Sequence, residues 1–588
     1  MNAKQKLKAI RELMKKNGLN AYYIPSVDPH QSEYLPECWK RRHWLSGFNG
    51  SAGDLAITTT KAALWTDSRY FLQAEIQLAG SGIELMRLGD PGVLAMEQWA
   101  CKVLKKGQVL GVDPAVMSVN AAMSLETSLQ SEGIKVKYVA RNLVDQLWKD
   151  QPEKSLAPLQ LHMKKFAGET AQSKLKRLRK EMIRCGYAAQ AIGALDDIAW
   201  LFNIRSSDIL CTPVAISYAV VTRRGATLYI DERKVSKSVR KSLAKYLKIK
   251  SYKDIGSDLK KMKNAKVLAD PATTNKWIAD HLKNSVFSTS PIVAMRAIKN
   301  PVQIEGLKEA HRRDGVALVK FIKWLETAVP EGGVTEMSAA VKLTEFRAED
   351  KMFRDISFDT ISGYAGNGAI VHYTVTPESS KALKPRGLYL VDSGGQYPDG
   401  TTDVTRTIAL GKLTAREKKM YTLVLKGNIN ITMTPFPDGM SGQRLEILAR
   451  QPLFEHCENY GHGTGHGVGH YLGVHEGPMS VSPRDVANVH LQPGQFLSIE
   501  PGHYEAGKFG VRIENLAFVA SHKKRSGWMV WDVTTLCPID TTPIEVDLMS
   551  PEELKWFNDY HKRVFKELSP MLDNEHKKWL RKKTKSIG

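Results

Sequence analysis

The sequence has little that would place it outside the ordinary globular class. Its six cysteines, Cys38, Cys101, Cys185, Cys211, Cys457 and Cys537, lie far apart in 588 residues and form no C-x-x-C pair. That spacing excludes a disulfide framework and a zinc knuckle, and it fits a reducing compartment. No run of eighteen apolar residues occurs, so no membrane-spanning helix is expected. Near the start, Leu7, Ile10 and Met14 stand at helical intervals among lysines, without the apolar core of a signal peptide. A soluble, cytoplasmic protein with no membrane partner is the expectation.

Acidic residues are also scarce, with 62 Asp and Glu against 84 Lys and Arg, for a net charge of +22. Such an excess raises the question of an acidic partner such as nucleic acid. Thirteen of the basic residues, however, crowd between Arg233 and Lys266 against only Asp254 and Asp258. With Leu243, Leu247 and Leu259 spaced among the lysines, and Tyr246 and Tyr252 but no stacking platform, this segment reads as a helix with a solvated basic face. No nucleic-acid partner is expected from it. What is present, 42% hydrophobic and 25% charged residues, is an ordinary globular mixture, and at about 150 residues per domain the length implies roughly three or four domains.

The first third alternates helix and strand: a helix to Asn17, a strand over 21–25, a glycine-rich turn over 47–53, then a hairpin from 55–58 and 62–66. Trp44-Leu45-Ser46-Gly47-Phe48, followed by that hairpin, is echoed by Trp200-Leu201-Phe202-Asn203-Ile204, followed by 215–222 and 226–231. Two related α/β domains in tandem are therefore expected, 1–155 and 156–297, joined where Pro152 and Pro158 punctuate the chain. At Asn300-Pro301-Val302-Gln303 an N-cap, a proline at the first helical position and a Gln at the third start a long helix and a new domain. That domain is placed at 298–525, with a tail at 526–588 that carries Trp528, Trp531, Trp556 and Trp579.

The chemistry concentrates in the third domain. Asp392 ends an apolar strand, a turn rich in Gly and Pro follows, and Asp403 opens the next strand, so a hairpin brings the two carboxylates together. Glu500 and Glu514 hold mirror positions about the turn at 506–510 in the same way. Four carboxylates in apolar strands repel one another and are desolvated, so they are protonated, or face solvent, or have cations among them. Between the two pairs lies Gly461-His462-Gly463-Thr464-Gly465-His466-Gly467. Glycines on both sides of two histidines clear space for imidazole and substrate, a costly arrangement in a loop with no task.

Taken together, the blocks 391–394, 403–407, 463–467, 499–502 and 512–515 resemble, in order, the ligand blocks of the pita-bread metallopeptidases. The segments 28–53, 65–73, 195–205 and 300–309 extend the resemblance to the three-domain X-Pro aminopeptidases nearly end to end. It implies an α/β chain with two creatinase-like N-terminal domains, a pita-bread catalytic domain and a C-terminal extension packed on it. It also implies that Asp392 binds one metal ion, Asp403 and Glu514 bridge two, and His466 and Glu500 complete the second. Four carboxylates balance two divalent cations, and oxygen-rich ligation favours Mn²⁺, with Zn²⁺ or Co²⁺ tolerated. By the same resemblance His372, His462 and His475 hold the substrate and stabilise the oxyanion, and a homodimer acts on peptides with proline in the second position.

Glu500 is the expected proton carrier between the nucleophile and the leaving nitrogen, and Arg512, on the same side of its strand as Glu514, is a substrate-binding candidate. In such an enzyme the N-terminal domain stands over the site, with Glu33 and Arg69 as lining charges. His475-Glu476 imitates the start of a zincin helix, but Gly477-Pro478 forbids that helix. His470 stands where the family leads one to expect a small residue, and either alters hydrogen bonding near His466 or faces outward. The competing readings are a prolidase restricted to X-Pro dipeptides and a non-catalytic pita-bread binding protein.

Overall fold

The helix Ala3–Lys16 forms as its spacing predicts: Leu7, Ile10 and Met14 are buried, and Asn2 with Gln5 closes a capping box at its start. In the computed structural model, which describes residues 1–588, this helix covers a six-stranded sheet. Its strands run in the order Glu84–Arg87, Ala62–Thr66, Asp54–Thr58, Ala21–Ile24, Val109–Val112 and Lys135–Tyr138. A second six-stranded sheet runs Lys248–Ser251, Ala226–Ile230, Ser217–Thr222, Ala189–Ile192, Val267–Ala269 and Ser285–Phe287. Across both sheets the neighbours pair parallel, antiparallel, antiparallel, parallel, parallel. The sequence echo is thus a repeat of topology. Its two short helices, Arg41–Ser46 and Leu195–Phe202, both end on a left-handed residue, Gly47 and Asn203. The two sheets belong to one compact unit, residues 1–163 with 169–293; residues 164–168 with 294–588 form another.

The basic segment corrects the reading of a single helix. Residues 233–266 form two short helices, Lys237–Leu243 and Ile255–Lys261, with the strand Lys248–Ser251 between them. That strand pairs parallel with Ala226–Ile230 at the edge of its sheet. The alternation Leu247-Lys248-Ile249-Lys250 has the two-residue period of a strand, and tertiary pairing wins over the helical leucine spacing.

In the second unit the helix Pro301–Glu331 starts with the expected capping box, Asn300 with Gln303, and with Pro301 at its first turn. Two hairpins then supply the strands that matter. Leu388–Ser393 pairs antiparallel with Val404–Ala409, and beyond a break Gly395–Tyr397 continues against Gly400–Thr401 in the same register. Phe496–Ile499 pairs with Asn515–Ser521, and beyond a second break Gly502–Glu505 continues against Phe509–Arg512, again in register. The helix Ala415–Met433 and the penultimate helix, Pro551–Leu568, share one apolar core, with Met420, Val424, Phe557 and Val564 within it. Trp528–Val533 extends the sheet beside Asn515–Ser521.

Candidate metal centre

Three of the four acids, Asp403, Glu500 and Glu514, stand in the breaks of the two hairpins, and Asp392 is on the strand that leads into the first. Asp392 faces Thr405, which puts Asp403 on the diagonal across from it, and Ile499 faces Asn515, which makes Glu500 and Glu514 mirror positions. At a break the backbone groups that a ladder would use bond elsewhere: Glu500 N–H donates to Thr464 O at 2.7 Å, and Glu514 N–H to Thr405 O at 3.1 Å. The second of these stitches the two hairpins together. His466 arrives on a third strand, Gly465–Gly467, and its N–H donates to Ser498 Oγ at 3.0 Å. Gly465 permits that approach, because a Cβ there would stand 1.9 Å from Ser498 O.

Ligand atoms of Asp403, His466 and Glu514 lie within 4.8 Å of one another. His466 Nε2 is 3.5 Å from both Asp403 Oδ2 and Glu500 Oε1. Asp392 is joined to the group through Arg512, whose Nη2 donates to Asp392 Oδ2 at 2.7 Å and whose Nε lies 4.0 Å from Glu500 Oε2. Asp392, Asp403 and Glu514 are buried, whereas His466 and Glu500 keep an open side.

The electrostatics are those of a cluster short of positive charge. Burial pushes the Asp392 carboxyl up to about 6, with Asp403 and Glu500 adding to the rise and Arg512 opposing it. Burial likewise raises Glu500, against His466 and Arg512, and raises Glu514 well above the carboxylate range, with Asp403, Asp392 and Glu500 adding to it. For His466 burial alone would push the imidazole down, but Asp403 and Glu500 outweigh it and hold it at about 9. Protons therefore gather where cations would be accepted. Two carboxylate oxygens with no hydrogen-bond donor, Asp392 Oδ1 and Glu514 Oε1, are buried in the cluster. Hard oxygen donors without a donor of their own, beside one imidazole, fit divalent metal ions.

Of the histidines outside the cluster, His475 packs T-shaped with His466, ring centroids 4.3 Å apart. His462 Nε2 is 2.8 Å from the Tyr504 hydroxyl, which also accepts from Arg512 Nη1 at 2.8 Å, so His462, Tyr504, Arg512 and Asp392 form one chain of contacts. His372 is half-buried on the loop after Asn367–Ala369, beside Tyr373, which packs with Ile370, Val375 and Tyr504. Arg512 is 1% exposed, with Asp392, Tyr504 and Thr405 as partners. Each of its three side-chain nitrogens thus donates to a partner inside the protein. Glu476 is buried against Lys299 and Arg296 on the strand Glu476–Val481, so the zincin imitation comes to nothing. His470 is 2% exposed and faces inward. Arg69 pairs with Asp67 at 2.7 Å.

Sequence reading missed three supports. Tyr504 stands two residues after Gly502 on the strand Gly502–Glu505, and the two-residue period carried on from Glu500 was the available signal. Arg406, 1% exposed, donates to Glu514 O, Asn515 Oδ1, Cys537 O and the Tyr560 hydroxyl, tying the C-terminal extension to the backbone of Glu514. Asn428 Nδ2 donates to Ile499 O and Ile513 O, bracing both limbs of the second hairpin from the helix behind. Neither of the last two has a local signal, because their partners lie 71 or more residues away.

Comparison with known proteins gives a consistent result. Residues 305–521 match metallopeptidase family M24, residues 6–145 and 150–303 each match the creatinase/prolidase N-terminal domain, and residues 527–587 match the C-terminal region of the same peptidase family. A probable Xaa-Pro aminopeptidase P of Aspergillus fumigatus is 41% identical over 100% of this chain and 93% of its own. Aminopeptidase P2 of Arabidopsis thaliana is 40% identical over 99% of this chain and 88% of its own. The crystal structure of the X-prolyl aminopeptidase of Caenorhabditis elegans, a cytosolic enzyme with a di-nuclear active site, superposes with a TM-score of 0.96 at 34% identity, over the whole of both chains.

Proposed function

The chain belongs to metallopeptidase family M24, and from that premise we propose that it is an aminopeptidase that removes the first residue from peptides with proline in the second position. Two divalent metal ions, Mn²⁺ by preference, would be held by Asp392, Asp403, His466, Glu500 and Glu514. They would supply Lewis acidity and a water of lowered pKa. The observation that carries the ligand reading is the pair of donor-less buried oxygens, Asp392 Oδ1 and Glu514 Oε1, inside a cluster whose carboxyls are driven towards protonation.

The protein's own groups then divide the work. Arg512 fixes Asp392 through Oδ2 and leaves Oδ1 without a donor, the oxygen that would meet a metal ion and, through it, the substrate amine. His475 and His372 donate to the carbonyl oxygen as it gains charge. Glu500, half-open and accepting from Ser498 Oγ at 3.3 Å, takes up a proton and delivers it to the leaving nitrogen. Proline's nitrogen, part of a tertiary amide, carries no N–H and leaves only once protonated. A prolidase would need a cation free to meet the substrate's C-terminal carboxylate. The internal engagement of Arg512 weighs against that reading. A cytoplasmic homodimer belongs to the same proposal.

Chelation followed by refilling tests the reading. Removal of metal should abolish hydrolysis of an X-Pro-Y peptide, Mn²⁺ should restore it best, and elemental analysis should give two metals per chain. Full activity in metal-free protein would sink it.

A further inference from the structure

We propose that Glu336 is a positioning residue for this reaction: its buried carboxylate ties together both ends of the loop that carries His372 and so fixes where that imidazole stands. The inference rests on the substrate-binding reading of His372 given above. Glu336 opens the helix Glu336–Ala348 and is 0% exposed. A carboxylate at that place would ordinarily serve its own helix N-terminus. Instead, all four of its hydrogen bonds go to residues 364–381. Oε1 accepts from Tyr364 N at 2.6 Å, and Oε2 accepts from Asn367 Nδ2 at 2.9 Å, the Tyr373 hydroxyl at 3.0 Å and Lys381 N at 2.8 Å.

The partners come from the start, the middle and the end of the loop, and all four are neutral. Glu336 also uses its backbone: its N–H donates to Lys381 O at 2.9 Å, and its carbonyl accepts from Ser362 Oγ at 2.7 Å. Closing a loop of this length at both ends removes most of its freedom, and the closure is made around one side chain. On its other side the loop is pressed against the active hairpin. Gly366 bridges to Gly507, and a Cβ on Gly510 would stand 1.8 Å from Gly368 O. Ile370, Tyr373 and Val375 share one small apolar cluster with Tyr504, the residue between His462 and Arg512. His372 lies between Ile370 and Tyr373 in sequence, so its backbone is held from both sides.

The test is a double-mutant cycle on the metal-loaded enzyme with an X-Pro-Y peptide, using Glu336→Gln, His372→Ala and the pair. Glu336→Gln keeps the shape but turns an amide towards N–H donors. It should lower kcat/KM by about 10²-fold with metal content unchanged, and the pair should be within about twofold of His372→Ala alone. Losses that multiply, loss of metal, or wild-type kinetics in Glu336→Gln would each overturn the proposal. Should Glu336→Gln not fold, Tyr373→Phe removes one of the four donors and should show a smaller loss with the same non-additivity. Wild-type rates in His372→Ala would instead remove the histidine's own role, an outcome distinct from His372→Ala being slow and the losses multiplying.

Discussion

Asp392 and His466 show how a site can be set to exchange protons for cations. Asp392, Glu500 and Glu514 all have carboxyls raised by burial and further by the Asp403 carboxylate, and His466 is raised to about 9. A group raised on folding stabilises the fold below its unfolded pKa, and that contribution is lost as pH rises through its folded value. For the metal-free protein this cluster's share of stability therefore declines from the ordinary carboxylate range through about 6 for Asp392, and from 6.5 through about 9 for His466. Ligation displaces the same protons, so metal affinity should rise across that window. Calorimetric titration of metal near pH 6, in buffers of different ionisation enthalpy, should show proton release, and its absence would contradict the electrostatics described here. Two side chains probe the site differently, Glu500 as ligand and proton carrier together and His475 as a group outside the ligand set. Glu500→Gln should fold yet lose most turnover. His475→Ala should lose about 10²-fold in kcat with metal retained, and a metal-free His475→Ala would show that its role is structural. These residues were legible in the sequence because glycine flanks and mirrored positions are local patterns. Arg406 and Glu336 were not, because a buried charge is defined by partners far along the chain.

At the scale of elements, both hairpins keep one register through a break, and Asp403, Glu500 and Glu514 sit at the breaks, with Asp392 on the strand beside the first. The mirror symmetry of Glu500 with Glu514 was visible in the sequence, whereas Asp392 and Asp403, read as symmetric in the same way, stand on a diagonal because Asp392 faces Thr405. Both pairs were read as the flanks of two turns, whereas each turn region forms a further stretch of hairpin. The outer stretches belong to separate small sheets yet keep the pairing of the inner ones. Close backbone contact then matters more than side-chain identity. Gly510→Ala would force Gly368 away, an overpacking cost of about 1–3 kcal/mol, and should lower both the melting temperature and kcat/KM. Gly225→Ala, where a Cβ meets only Thr222 Oγ1 at 3.7 Å, is the control and should change neither. Gly510→Ala with wild-type kinetics would mean that the loop of His372 does not depend on this hairpin. Residues 233–266 were misread because composition outweighed period: the lysines suggested one solvated helix, while Lys248–Ser251 is an edge strand. Lysines on such an edge discourage addition of a further strand, which gives part of the charge excess a structural use.

Over the whole molecule, two sheets of one topology precede a unit that holds all five candidate ligands. Charge and composition spoke only to class; the fold was legible through the Trp44 and Trp200 echo, and the activity through five short blocks. No helix is long and apolar enough to cross a membrane. Substrate length belongs to this scale, since it separates an aminopeptidase from a dipeptidase on the same ligands. The most direct measurement is kcat/KM for X-Pro, X-Pro-Y and a longer X-Pro peptide, with X-Ala-Y and N-acetylated X-Pro-Y as controls, on the Mn²⁺-loaded protein. Release of the first residue alone from X-Pro-Y and from the longer peptide, with little turnover of either control, is the predicted result. Cleavage confined to the dipeptide X-Pro, or cleavage of the acetylated peptide as fast as the free one, would contradict it.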